Sequence, residues 1–460
     1  MPDFKNYFEN KKVTLVGLGL LGRGVGDAEF LAECGVELLV TDLKKEEDLA
    51  PSLQKLKKFK NITYVLGEHR LEDFKGRDFI LKGPGVLIDS PYIAEARKNG
   101  IPIEMDASLF ARLAPAGVTL VGVTGTRGKS TTTCLLYEIL KAAFLVKGQK
   151  KKVKSSPSVF LAGNIKDTAT LPLLSKVKSG DYVVLELDSW QLQGFGEVGI
   201  SPHIAVFTNF MADHLNYYKG DMNAYFADKA RIFQHQKPSD FLVCGEEVFT
   251  RLEASKPTAK TIVARREGVP KDWHPRIIGE HNIANIACAL EAARVLKISD
   301  GITKEVVENF SAVSGRLEFL GEKKGVKIYN DNNATTPTAT IAALQALGTR
   351  EEGARKKIVL ICGGSDKGLN MQELVEEIPK HCKAVVLLAG TGTEKLGIKN
   401  YELGVRTEEK ETLKECVEES MKVAEQGDIV LFSPAFASFG KYFKNEYDRG
   451  EQFVGIVAGL

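Results

Sequence analysis

The sequence predicts an α/β fold in three domains, on three observations. The chain has 460 residues, more than one hydrophobic core usually organises when domains run to about 100–200 residues. Short apolar runs of strand length alternate with stretches of helical spacing, the order that builds parallel sheets. The pattern of strand, glycine turn and helix starts afresh after Arg112, and the α/β alternation starts again beyond Ser311–Gly315. These breaks place domains at 1–112, 113–312 and 313–460.

In the first segment VTLVGLGLLGRG leads through AEFLAECG to VELLVTDL, a βαβ unit of Rossmann-like form. DFILKGPGV and IPIEM add strand and turn signals. LAPAGV then supplies the proline and glycine that end this unit before TLVGVTG opens the next. DYVVLEL and HIAVFTN continue as strands, with helices expected over Ala224–Gln234 and Asn282–Leu296. In the third segment VKIYND, KIVLICGG, AVVLLAG and DIVLFSP are strands separated by helical stretches such as TPTATIAALQAL, again Rossmann-like. The basic run KGQKKKVKSS near 148–156 reads as a solvated loop.

Composition narrows the class of function. Hydrophobic residues make up 43% and charged residues 27%, enough apolar side chains for sizeable cores. Lys and Arg total 62 against 60 acids, a net charge of +2 that gives nucleic acid or an anionic membrane no bulk attraction. The seven cysteines are scattered singly with no CxxC pair, so neither a disulfide framework nor a zinc site is indicated, which fits a reducing cytoplasm. The first residues, MPDFKNYFENKK, are polar and charged, and nowhere do 18 uncharged apolar residues run together, so neither secretion nor membrane spanning is expected. The expectation is a cytoplasmic protein that acts on small molecules, with neither nucleic acid nor membrane insertion.

The strand TLVGV runs into Thr124-Gly125-Thr126-Arg127-Gly128-Lys129-Ser130-Thr131 and then into the helical TTCLLYEIL. Strand, glycine loop and helix in that order form a phosphate cradle and predict a central domain like that of P-loop ATPases. Backbone N–H groups converge at the positive helix end, Lys129 adds an ammonium, and Ser130 offers a hydroxyl to Mg²⁺. A strict GxxxxGKS loop would carry glycine at 123, where this chain has Val123. Downstream, Glu186 ends the strand VVLEL, where ligands of open α/β sheets gather. His214 follows a strand end in TNFMADHLNYY, and Lys229 comes fifteen residues later in YFADKARIF. Taken singly, a strand-end acid, a lone histidine and a helical lysine are more often structural or solvated than catalytic.

The loop TGTRGKSTT resembles that of the Mur ligases and of the related folylpolyglutamate synthetases, and further motifs carry the resemblance along nearly the whole chain. It implies an ATP-dependent ligase that activates a carboxylate as an acyl phosphate. Two Mg²⁺ ions are implied, one on Ser130 and Glu186, the other on His214 and a CO₂-derived carbamate on Lys229, with Asp213 behind them. Gly125, Thr126, Arg127, Gly128, Lys129, Ser130 and Thr131 would cradle ATP. Asn282 and Asn285 of HNIAN, Arg316 of SGRLE and Asp331 of NDNNAT would complete its contacts from both later domains, so that domain closure is expected. Asn164 in AGNI matches a turn that touches the carboxylate-bearing substrate.

Within the family the nearest pattern is that of the members adding D-glutamate to UDP-N-acetylmuramoyl-L-alanine, acting as monomers. Thr335, Lys367 in GGSDKG and Ser438 with Phe439 in SPAFASF match positions that bind the incoming glutamate. Leu20, Leu21, Asp42, Lys44, Gly83 and Gly85 match positions near the uridine diphosphate. The chain departs from the family at Asp188, where serine is usual, at Asn333, where lysine is usual, and at Glu446, where an aromatic is frequent. The competing readings are an alanine-adding sibling, another Mur-type or folylpolyglutamate ligase, an NAD-dependent oxidoreductase built on GLGLLG, and a nucleotide-binding module without turnover. The oxidoreductase leaves GTRGKS, Lys229 and HNIAN without a purpose.

Overall fold

The computed structural model describes residues 4–20, 22–150, 157–165, 168–214, 216–252, 255–348, 355–396, 405–438 and 443–460. Three separate sheets carry the three α/β segments. The first comprises β1 (Lys12–Val16), β2 (Glu37–Asp42), β3 (Ile62–Leu66), β4 (Phe79–Lys82) and β5 (Ile103–Glu104), all parallel, in the order β3-β2-β1-β4-β5. The strand order reverses between β1 and β4, so the glycine turn after β1 and the KGPG loop after β4 flank the point where such sheets open a crevice.

The second sheet comprises β6 (Thr119–Thr124), β7 (Val159–Gly163), β8 (Tyr182–Glu186), β9 (Ile204–Phe207), β10 (Phe241–Gly245) and β11 (Lys260–Ala264) in the parallel order β11-β10-β9-β6-β8-β7. β6 therefore lies between β8 and β9, and the loops that leave these three strands are neighbours. The third sheet comprises β12 (Glu318–Lys323), β13 (Val326–Asn330), β14 (Ile358–Gly363), β15 (Cys382–Leu388), β16 (Arg406–Lys410) and β17 (Ile429–Phe432) in the order β12-β13-β17-β14-β15-β16. Among the described strands only β12 runs antiparallel to its neighbour.

The chain forms two compact units, Met1–Pro270 with Ala284–Val306, and Lys271–Ile283 with Val307–Leu460. The first two sheets belong to the former and share a continuous apolar core from Phe8 through Phe110 and Phe195 to Leu252. Helices Asp106–Leu113 and Ser189–Glu197 join there, where Gly194 lies against Ser108 and Met105. In the other unit, clusters containing Leu360 and Val359 cover opposite faces of the third sheet.

The helices expected over 224–234 and 282–296 are Met222–Gln234 and Glu280–Val295. The basic run is a correction in part: 148–150 belong to helix Lys129–Lys150, which the good helix formers Ala142, Ala143, Leu145 and Lys147 carry as far as Gly148 and beyond, and 151–156 lie outside the described residues. Among the described residues no helix is long and apolar enough to cross a membrane.

A buried cation ties the third sheet together. Arg449, on helix Glu446–Ala458, is 0% exposed, and its Nε donates to Asn332 Oδ1 at 2.7 Å, its Nη2 to Asn332 O at 2.9 Å and its Nη1 to Phe436 O at 3.3 Å. Burial pulls its pKa down to about 10. All three acceptors are neutral oxygens, on the loops leaving β13 and β17, so loss of the guanidinium orphans buried carbonyls on both. Arg449→Met is expected to lower unfolding stability by about 2–4 kcal/mol, seen as a lower denaturant midpoint; an unchanged midpoint would show that the loops do not need this tie.

Candidate active site

The loop 124–131 is braced along its length. Thr126 N donates to Asn209 O at 3.0 Å, Arg127 N to Asn209 Oδ1 at 2.8 Å, and Met211 N to Thr126 Oγ1 at 3.0 Å. The segment after β9 thus holds the loop open before helix Lys129–Lys150 begins. Gly128 has φ +79°, a region that favours glycine, and a Cβ there would collide with the Asn285 amide. Lys129 Nζ donates to the carbonyls of Gly125 at 3.0 Å and Thr126 at 3.1 Å.

Lys229 reaches the same carbonyl. It is 1% exposed, and its Nζ donates to Gly125 O at 2.8 Å and lies 4.9 Å from the Tyr225 ring centre. Burial holds its pKa well below the ordinary lysine value and the Lys129 ammonium lowers it further, against the opposing pull of Asp188 and Asp213. The lysine's helix is anchored next door: Asp228 Oδ2 accepts from Gln193 Nε2 at 2.8 Å and from Tyr218 Oη at 3.1 Å.

Glu186 ends β8 in register with Val123 of β6, and the backbone of Leu187 donates to Val123 O at 2.9 Å. Its carboxylate is buried and Oε2 has no hydrogen-bond partner. A buried anionic oxygen left bare is costly unless a cation reaches it, so the donor chemistry beside the phosphate loop fits a divalent ion. His214 is held in the left-handed region at φ +53°, with its ring 4.8 Å from that of Trp190 and its Nε2 3.8 Å from Asp213 Oδ2. Asp213 also pairs with Arg127 at 3.4 Å, which joins the histidine to the loop. Among the described residues no three His, Cys, Asp or Glu side chains form a metal site by themselves. Metal here would need the hydroxyl of Ser130 and oxygens from a nucleotide.

The remaining predicted residues fall in several places. Asn164 N donates to Glu186 O at 2.7 Å, which puts the GN turn at the end of β8. Asp188 is the N-cap of helix Ser189–Glu197, in a capping box with Gln191. Asn285 packs on Gly128, whereas the Asn282 amide donates to Ile278 O at 2.8 Å. In the first sheet Asp42 accepts from Gly19 N at 3.0 Å and Lys44 N at 2.9 Å, bracing the glycine turn beside Leu20. Gly83 N donates to Val16 O at 2.9 Å, Gly85 follows in the same loop, and Leu21 lies outside the described residues.

In the other unit Lys367 Nζ donates to Thr335 Oγ1 at 3.0 Å. Ser365 and Ala437 exchange backbone hydrogen bonds at 3.0 and 3.1 Å, so the loops bearing Lys367 and Ser438 run side by side. Thr335, Lys367 and Ser438 thus come from loops after β13, β14 and β17, three adjacent strands. Phe439 lies outside the described residues. Asp331, expected to meet a ribose, accepts from Leu317 N at 3.0 Å and Ser433 Oγ at 2.8 Å. Arg316 sits between Gly315, which packs on Asn333, and Leu317.

Sequence reasoning passed over Lys82, Trp190 and Arg23. Lys82 is buried, donates to Val86 O at 2.9 Å, and has its pKa lowered to about 8 by burial, opposed first by Asp188 and then by Asp228. The KGPG motif held a signal for it, a lysine directly after an apolar strand. Trp190, in the ELDSWQL motif, carried none beyond its aromatic character.

Comparison with known proteins agrees along the chain. Residues 11–104 match the MurD-like N-terminal domain of Mur ligases, 123–273 the Mur ligase middle domain and 315–436 the Mur ligase glutamate ligase domain. A UDP-N-acetylmuramoylalanine–D-glutamate ligase from Roseiflexus is 35% identical over 97% of this chain and 98% of that relative. Enzymes of the same name from Borreliella burgdorferi and Clostridium kluyveri are 33% and 34% identical, each over 98% of the relative. Among solved structures, the UDP-N-acetylmuramate–alanine ligase MurC of Thermotoga maritima superimposes with a TM-score of 0.62 at 22% identity, covering 98% of this chain and all of that one. MurF of the same organism, solved with ADP, gives 0.55 at 19% identity over 98% of this chain and 95% of its own.

Since a side chain at 128 would strain the backbone at φ +79° and displace the Asn285 amide, Gly128→Ala is expected to weaken Mg-ATP binding by about tenfold or more. Isothermal titration would detect this, and binding at wild-type strength would show that the loop is not the phosphate cradle.

Proposed function

The chain belongs to the Mur ligase family, and on that premise we propose that it adds D-glutamate to UDP-N-acetylmuramoyl-L-alanine, consuming ATP and releasing ADP and phosphate. The observation that carries the chemistry is the convergence of Lys129 and Lys229 on the Gly125 carbonyl, with a bare Glu186 oxygen at the neighbouring strand end.

A free carboxylate resists an amine because oxide would have to leave. The alanyl carboxylate oxygen of the precursor therefore attacks the γ-phosphorus of ATP, the bond to the bridging oxygen breaks, and ADP departs. The glutamate amine then adds to the carbonyl carbon of the acyl phosphate and loses a proton, and the tetrahedral adduct collapses to the amide as inorganic phosphate leaves. Little covalent work falls to the protein, so positioning and charge neutralisation dominate. Gly125 to Thr131 supply backbone donors to the phosphates, and Lys129 supplies a cation. Ser130 and Glu186 would hold one Mg²⁺, and His214 with modified Lys229 a second, the ions offsetting charge on the γ-phosphoryl and acyl oxygens.

Lys229 suits carbamylation on physical grounds. Its depressed pKa favours the neutral amine, which attacks CO₂ and releases a proton, and the resulting anion would pair with the Lys129 ammonium already beside it. In the second unit, Lys367 with Thr335 and Ser438 would take the carboxylates of incoming glutamate, since a dianion calls for a cation and hydroxyl donors.

The family contains alanine-adding enzymes, so the amino acid is the decisive variable. Phosphate release with ATP and UDP-N-acetylmuramoyl-L-alanine is expected with D-glutamate and absent with L-alanine or meso-diaminopimelate; the reverse pattern would sink the assignment. Lys229→Ala is expected to lose at least about 100-fold in kcat, roughly 2.7 kcal/mol of barrier, with an unchanged circular dichroism spectrum. Wild-type protein in ¹³C-bicarbonate should show a carbamate carbon resonance that the variant lacks. Full activity in the variant would remove the lysine from the mechanism.

A further inference from the structure

Arg23 lies in the glycine turn after β1, at the start of helix Arg23–Glu33, and nothing in the reaction above uses it. Its Nη2 donates to Asn164 Oδ1 at 2.9 Å and to Gly163 O at 3.2 Å. We propose that Arg23 is a positioning residue of the ligase, fixing the Asn164 amide so that its NH₂ is presented to the substrate carboxylate. This rests on the function proposed above.

The argument turns on what a guanidinium can do. It has five N–H donors and no acceptor, so the Asn164 atom facing it must be the oxygen. With Oδ1 engaged, the end left for a ligand is Nδ2, which can only donate. The substrate carboxylate and the acyl phosphate that replaces it are acceptor groups, to which a flipped amide would offer a repelling oxygen. Arg23 selects the useful orientation.

Each partner has a further contact on its own side, that of Arg23 being an ion pair longer than a hydrogen bond. Arg23 Nε stands 3.8 Å from Asp106 Oδ2 on helix Asp106–Leu113. Asp27, one turn further along the helix that Arg23 begins, is buried and takes a hydrogen bond from the Leu171 backbone; burial, and then Asp106, raise its pKa. On the other side Gly163 has φ +86°, and a Cβ there would strike Glu186 O, while Asn164 N bonds that same oxygen at 2.7 Å. The backbone that carries the amide is therefore fixed at the end of β8. A single side chain thus joins the turn that would hold the uridine diphosphate to the turn that would meet the reacting carboxylate of the same precursor molecule.

The test is steady-state kinetics of precursor-dependent phosphate release. Arg23→Met is expected to raise KM for the UDP-precursor and lower kcat by about tenfold or more, with KM for ATP and D-glutamate within about twofold. Arg23→Lys, which keeps the charge and one donor, should recover part of the loss and guards against a methionine variant that fails to fold. Asn164→Asp keeps the partner of Arg23 but loses the donor, and should lose activity with no fall in melting temperature. Arg23→Met combined with Asn164→Ala should be no worse than Asn164→Ala alone. Wild-type kinetics in Arg23→Met, or additive losses in the double variant, would overturn the proposal. Failure of the wild type itself with D-glutamate would instead overturn the functional reading.

Discussion

The interaction on which the site depends is the meeting of two lysines at one carbonyl. Lys229 is buried within hydrogen-bond reach of the Gly125 oxygen that also receives Lys129. Placing two ammonium groups there is unfavourable twice over, through desolvation and through mutual repulsion. The arrangement becomes reasonable once one of the pair is a neutral amine or an anionic carbamate, and the depressed pKa of Lys229 expresses the same preference. Much nearby structure serves to keep that lysine in place: Asp228 locks its helix to Gln193 and Tyr218, and Tyr225 puts an aromatic face against Nζ.

Sheet topology explains why residues so far apart in sequence arrive together. With β6 between β8 and β9, the phosphate loop, Glu186 and the segment leading to His214 leave adjacent strands at the same end. The third sheet repeats the device, since Thr335, Lys367 and Ser438 follow β13, β14 and β17. In both cases the parallel register converts a strand-end position into a site position.

That register is also why part of the molecule was legible in the sequence and part was not. The phosphate loop could be read because strand, glycines, GKS and helix are contiguous and each element has its own local signal. Glu186 followed from its place at a strand end. Lys229 is a helical lysine like many others, and only family resemblance picked it out. Arg23 and Asn164 are 141 residues apart, with no periodicity to connect them. Arg449 was invisible for a different reason: one arginine in a helix whose neighbours are charged reads as solvated, and its burial depends on loops from two strands far apart in sequence. Asp331 carried an expected ligand role, but both of its carboxylate oxygens hold the backbone and a serine of its own unit.

The departure at Asp188 becomes intelligible on the same terms. Serine and aspartate are both strong N-caps, so the acid keeps the capping interaction that starts helix Ser189–Glu197. It adds a negative charge that serine lacks. Two buried lysines feel that charge as the foremost force opposing deprotonation, Lys82 after burial alone, and Lys229 after burial and Lys129. Lys82 donates to the loop that follows β4, while Lys229 lies against the phosphate loop. An acid at 188 therefore offsets excess positive charge on both sides of the helix start. In a site that must take a nucleotide triphosphate and two carboxylate substrates, the placement of that charge matters as much as its sign: held in the cap, it steadies the lysines while its oxygen is committed to Gln191 N at 2.7 Å.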